Sequence, residues 1–114
     1  MQIDRSQKEN MVVLAINGPI IVGESARQFT EFLDGLLEED GSGVIIDLTN
    51  INYVDSTGLG ELVGYMQLFN ERGRHLALLN PHSRILSLLK LTSLDKEFKI
   101  FYDIDEAVRT LTAS

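Results

Sequence analysis

The chain is expected to be α/β, a mixed sheet of about five strands with about four helices packed mainly on one side. Three observations predict this. Apolar periodicity switches repeatedly between strand-like and helix-like spacing, with no internal repeat. Two short apolar runs, over 44–48 and 76–79, suit strands covered on both faces. The chain has 114 residues, 44% of them hydrophobic, which is enough for one compact domain over 1–114 and too few for two.

The elements follow in order. The β-branched run 11–16 is a strand, and 3–6 pairs with it across a turn at 7–10. Asn17-Gly18-Pro19 breaks it, and Ile20-Ile21-Val22 forms a short apolar piece. Over 25–39, Ala26, Phe29, Leu33, Leu36 and Leu37 fall at helical spacing. Ser25 with Gln28 fits a capping box, and 40–43 ends this helix. After the strand 44–48, Ile51, Tyr53 and Val54 are expected to continue the packing. The next helix runs from about 57 to 71, with Leu59, Leu62, Val63, Met66 and Phe69 on one face and Gly73 at its end. Following the strand 76–79, Asn80-Pro81 fits an N-cap and a first-turn proline. A helix with Ile85, Leu88 and Leu89 ends near Leu91. A last strand covers 99–102, and Asp103 with Glu106 caps a helix bearing Ala107, Val108 and Leu111. Helix-joined parallel strands require right-handed crossovers.

Composition excludes several functions. Lysine plus arginine number 10 against 17 acidic residues, a net charge of −7, which argues against a nucleic-acid backbone as partner. Cysteine is absent and only His75 and His82 are histidines, so no thiolate or histidine-rich metal site is expected. The N-terminal residues lack a signal-peptide apolar region, and no apolar run reaches spanning length. A soluble cytoplasmic protein, with no membrane insertion, is the expectation.

One segment carries chemistry. Asp55-Ser56-Thr57-Gly58-Leu59-Gly60 joins a buried strand to a helix, at a strand's carboxyl end where α/β sheets place their ligand and partner sites. A helix N-terminus presents unpaired N–H groups, and its dipole favours a phosphate placed there. The structural alternative is that Asp55, Ser56 or Thr57 only caps the helix. Two glycines in a first turn cost about 0.5–1 kcal/mol each against alanine, which favours a functional role. Enzyme signatures fail. Thr57 interrupts an Asp-Ser-Gly triplet, Val54 stands where a serine-hydrolase elbow needs glycine, and there is no P-loop lysine.

Val54-Asp55-Ser56-Thr57-Gly58-Leu59-Gly60 resembles the signature of the anti-sigma factor antagonist (STAS domain) family. The likeness extends through the strand 44–48, the helix 61–71 and the segment 74–80. The resemblance implies a non-enzymatic, cofactor-free regulatory module. It implies that Ser56 is phosphorylated by a partner that is both serine kinase and anti-sigma factor. The unphosphorylated form would bind that partner and free the sigma factor, and a phosphatase would reset the switch. On this resemblance Asp55 orients the site, Gly58 and Gly60 permit close approach, and Thr57, Leu59 and Glu61 complete the docking surface. The sequence departs from the family pattern after the first long strand. Many members have an aspartate in that loop, whereas Gly18-Pro19-Ile20 is followed here by Ile21, and Glu24 is the nearest acid.

Two other functions share the same surface. One is a constitutive docking subunit of a stress-signalling or membrane-transport complex, with Ser56 only a cap. The other is a weak nucleotide binder. Glu61 and Gln67 lie off the apolar stripe, as solvated or partner-facing residues. Gly64, in mid-helix, suits either a closely packed neighbour or a flat docking face. Arg84 is available to a phosphate, an acidic partner or solvent.

Overall fold

A computed structural model describes residues 1–41, 43–51 and 53–113. Ser42 in the expected helix end, Asn52 in the spacer 49–53 between the strand 44–48 and the next helix, and Ser114 at the end of the expected domain lie outside the described residues. Ten elements follow one another: β1 Gln2–Lys8, β2 Met11–Asn17, α1 Glu24–Leu37, β3 Gly43–Asp47, α2 Ser56–Glu71, β4 His75–Leu79, α3 Ser83–Leu91, a 3-10 turn Leu94–Lys96, β5 Lys99–Phe101 and α4 Ile104–Thr112. The sheet order is β1-β2-β3-β4-β5. β1 runs antiparallel to β2, and the remaining pairs are parallel.

Alternation along the strands divides the apolar residues between two faces. Val12, Leu14, Val44, Ile46, Leu76 and Leu78 join the larger core under α1, α2 and α3. Met11, Val13, Ile45, Ala77 and Leu79 meet Ala107, Val108 and Leu111 of α4 on the other face. Three helices therefore cover one side and one covers the other. The five residues expected to form the stripe of α1 are its buried residues.

Local geometry ties α1 to α2. Tyr65 is buried in α2, and its hydroxyl donates to Asp34 Oδ1 at 2.5 Å and lies 3.3 Å from the Thr30 carbonyl oxygen. Burial and the Asp34 carboxylate both push the phenol upward, so it stays protonated. α2 ends in a Schellman arrangement, with Gly73 N–H on Asn70 O and Arg74 N–H on Phe69 O, and Gly73 takes φ 69°. Arg72 and Arg74 then donate to the Leu37 carbonyl at the end of α1.

Several sequence expectations are corrected. Ser25 does not cap α1, which starts at Glu24 after Gly23 with no side-chain cap. The Ser25 hydroxyl reaches back to the Ile21 backbone instead, 3.0 Å from both its N–H and its carbonyl. Asn80 does not cap α3. It has φ 53°, and its N–H extends the sheet by bonding Phe101 O, so α3 begins three residues later with His82 as its cap. Tyr53 does not join the core but is 53% exposed. No neighbour stands within 4 Å of a Cβ built on Gly64, so close packing does not explain that glycine.

Candidate functional site

The site forms where the segments after β2 and β3 run side by side. Leu48 N–H bonds Leu79 O at 2.8 Å, and Ile51 N–H bonds Leu48 O, turning the chain after β3. Asp47 Oδ1 accepts from Thr49 N–H and hydroxyl, and Asn80 Nδ2 lies 3.2 Å from Thr49 Oγ1. Ile51 and Val54 are buried and anchor the spacer. Ile20 and Val54 then form a parallel bridge, with Ile20 N–H on Tyr53 O and Asp55 N–H on Ile20 O.

Asp55 is the N-cap of α2 and also a clamp. Its Oδ1 accepts from Gly58 N–H at 2.8 Å, and its Oδ2 accepts from Val22 N–H at 2.8 Å. These backbone donors hold its carboxyl below the usual range, Gly58 contributing most and Val22 next. One side chain thereby fixes the helix start and the loop after β2 together. Gly58 completes the junction. A Cβ there would fall 2.5 Å from Ile20 O and 2.8 Å from Val54 Cγ1. Its close approach is to this chain's own backbone, and Gly58 is buried.

Ser56 is the first residue of α2 and is exposed, while Thr57 is half-buried. Leu59 lies at the core boundary, Gly60 is exposed, and Glu61 is half-exposed. No atom stands within 4 Å of a Cβ built on Gly60 or on Gly64. Positions 56, 60 and 64 recur at four-residue spacing and share one face of α2. Gly60 and Gly64 leave that face without side chains until the exposed Leu68, four residues further on. Two exposed apolar residues flank the site, Val22 at 69% and Tyr53 at 53%. A cleft of about 520 Å³ opens between the starts of α2 and α3. Ser56, Tyr53 and Arg84 line it, over apolar Leu59, Ile85 and Leu88. Asp55, Ser56, Thr57, Gly58, Leu59, Gly60 and Glu61, the residues singled out in the sequence, form the cap and first turns of α2. The sequence offered Arg84 to a phosphate or an acidic partner without placing it beside Ser56, and it did not connect Val22 or Tyr53 to the motif. Glu24, the nearest acid in the loop, is held by Arg27 on its own helix.

A family model for the STAS domain matches residues 2–107. The chain belongs to the STAS domain family. It is 36% identical over 94 residues to the anti-sigma-B factor antagonist of Bacillus subtilis, covering 82% of this chain and 84% of that one. A crystal structure from Thermotoga maritima, described as a candidate anti-sigma factor antagonist, superposes with a TM-score of 0.89 at 25% identity, over 96% of this chain and 94% of that one. The anti-sigma factor antagonist SpoIIAA shares the fold. Its unphosphorylated form gives a TM-score of 0.79 at 16% identity, over 99% of this chain and 98% of that one. Its phosphorylated form gives 0.75 at 16% identity, over 96% and 99%. The curated relatives of this STAS chain are thus anti-sigma factor antagonists. Among the described residues no helix is long and apolar enough to cross a membrane, and no acidic or histidine group is placed to hold a metal ion.

Proposed function

We propose that this STAS domain is an anti-sigma factor antagonist that binds a partner serine kinase/anti-sigma factor and is switched off by phosphorylation of Ser56. The observation that carries this reading is the position of Ser56. Its hydroxyl stands exposed on a rigid helix start, at the head of a helix face kept bare by Gly60 and Gly64. Asp55 holds that start in place, and Val22 and Tyr53 supply apolar contact beside it. Thr57, Leu59 and Glu61 lie in the same turns and complete the docking surface, while Gly58 seats the helix from below. One structural neighbour is described in both phosphorylated and unphosphorylated forms, which suits such a cycle. A phosphatase resets it.

The physics of the switch is electrostatic. A phosphate brings about −1.5 to −2 charges at pH 7. It would sit next to the Asp55 carboxylate on a chain of net charge −7. An interface fitted to a neutral hydroxyl then has to bury unpaired charge.

The test is calorimetric titration of each histidine-kinase-like ATPase of the host into the wild-type, Ser56→Ala and Ser56→Glu proteins. Wild type and Ser56→Ala should bind one of them alike, with Ser56→Glu weaker by about 100-fold, or roughly 3 kcal/mol. Equal binding by Ser56→Glu would favour a constitutive docking subunit instead.

A further inference from the structure

We propose that Arg84 is the phosphate-binding residue of this switch: once Ser56 carries a phosphate, the Arg84 guanidinium takes it in charge-assisted hydrogen bonds within the same chain. The inference rests on Ser56 as the phosphate acceptor and adds what receives the phosphate.

A phosphate on the first residue of a helix is ordinarily taken by the free N–H groups of the first turn. Here one of those donors, Gly58 N–H, is already engaged by a carboxylate. Gly58 N–H and Val22 N–H point at the two Asp55 oxygens, each at 2.8 Å, and Leu59 N–H bonds Asp55 O at 2.9 Å. The Asp55 carboxylate already stands at the helix start, so a phosphate on Ser56 meets a like charge beside it. A cation from elsewhere would offset that repulsion.

Arg84 is the one basic residue among those lining the cleft that Ser56 also lines, and Asp55 is the one acidic residue. Four other arginines of the chain are committed elsewhere. Arg5 pairs with Glu39, Arg27 with Glu24 and Glu31, and Arg72 and Arg74 hold the Leu37 carbonyl. Among the described residues none forms an ion pair with the Arg84 guanidinium. Its backbone is fixed nonetheless. Arg84 N–H bonds His82 Nδ1 at 3.3 Å, and the adjacent Ile85 is buried in the core. A long, uncommitted side chain thus starts from an anchored point on the same cleft. Guanidinium matches phosphate in a two-pronged geometry, and such ionised hydrogen bonds are about twice as strong as neutral ones. Beneath the exposed Ser56 and Arg84 the cleft floor is apolar, formed by Leu59, Ile85 and Leu88.

Phosphorylation then changes two things at once. It places an anion at Ser56, and it withdraws the free cation of the cleft from any acidic group of the partner.

The experiment uses the full chain with phosphoserine installed at position 56 by genetic encoding, in the wild-type and Arg84→Gln backgrounds. Phosphorus NMR follows the phosphate through its second ionisation. The expected result is a phosphate pKa about 0.5–1 unit lower in the wild type than in Arg84→Gln, together with a newly shifted, slowly exchanging Arg84 Nε–H resonance. His82 and Asp55 are present in both proteins, so the difference isolates the arginine. Superimposable titrations would overturn the proposal. Because the phosphate is installed rather than transferred by a kinase, the result is independent of whether the host modifies Ser56. An unmodified Ser56 in the host would sink the switch and leave the contact measured. Equal titrations with phosphate found in the host would sink only the contact.

Discussion

A Cβ placed on Gly58 lands 2.5 Å from the carbonyl oxygen of Ile20, whereas one placed on Gly60 meets nothing within 4 Å. The two glycines of the motif therefore serve different ends. Gly58→Ala is expected to destabilise the fold by about 1–3 kcal/mol or more, since the obstructing atom is backbone. Gly60→Ala should stabilise it by about 0.5–1 kcal/mol while weakening partner binding. Urea denaturation and partner titration of both variants check this. A tolerated Gly58→Ala, or a Gly60→Ala that binds normally, would contradict it. Asp55 adds a pH signature. Its carboxyl is held below its unfolded value by the Gly58 and Val22 N–H groups. Its contribution to stability is therefore present above about pH 4 and lost as pH falls through the lower folded value. Asp55→Asn should melt below wild type at pH 6, with the gap narrowing toward pH 3. Thermal melts at the two pH values decide it, and a constant gap would remove the carboxylate clamp from the account.

α1 and α2 are joined by one hydroxyl as well as by apolar packing. Tyr65→Phe keeps the ring in the core but removes the bonds to Asp34 and Thr30. A loss of about 0.5–1.5 kcal/mol is expected in denaturant unfolding, and no loss would mean those groups are satisfied by water. The helices were legible in the sequence wherever apolar spacing reports burial: Ala26, Phe29, Leu33, Leu36 and Leu37 are the buried residues of α1. The strands 44–48 and 76–79 were legible for the same reason. Tyr65 was not, because a residue with a polar end carries no clear sign in an apolar stripe. Ser25 and Asn80 have the composition of caps, but their backbones are committed elsewhere, by the Ile21 contact and by the sheet extension to Phe101. The Asp55–Ser56 motif was legible as a strand–helix junction. Val22, Tyr53 and Arg84 were not, because the bridge between Ile20 and Val54 and the placement of α3 beside α2 are tertiary facts. Apolar identity even pointed the wrong way for Val22 and Tyr53, which are exposed.

At the scale of the molecule, the sheet separates support from function. α4 closes one face, and three helices close the other. The segments after β2 and β3 meet at one end, where Asp55 locks them to the start of α2. The surface presented there is rigid, nearly neutral across the cleft and flanked by exposed apolar groups. The chain as a whole carries −7, so an added phosphate deepens an existing excess and changes most the place where Ser56 stands. A local charge on a rigid platform needs no change of fold to alter binding, which is the core of the account. The most direct measurement is intact mass and phosphosite mapping of the protein purified from its own host, grown with and without stress. The account predicts a single phosphate on Ser56 whose occupancy changes with growth condition. No phosphate under any condition, with a Ser56→Ala protein that works normally in the cell, would contradict it.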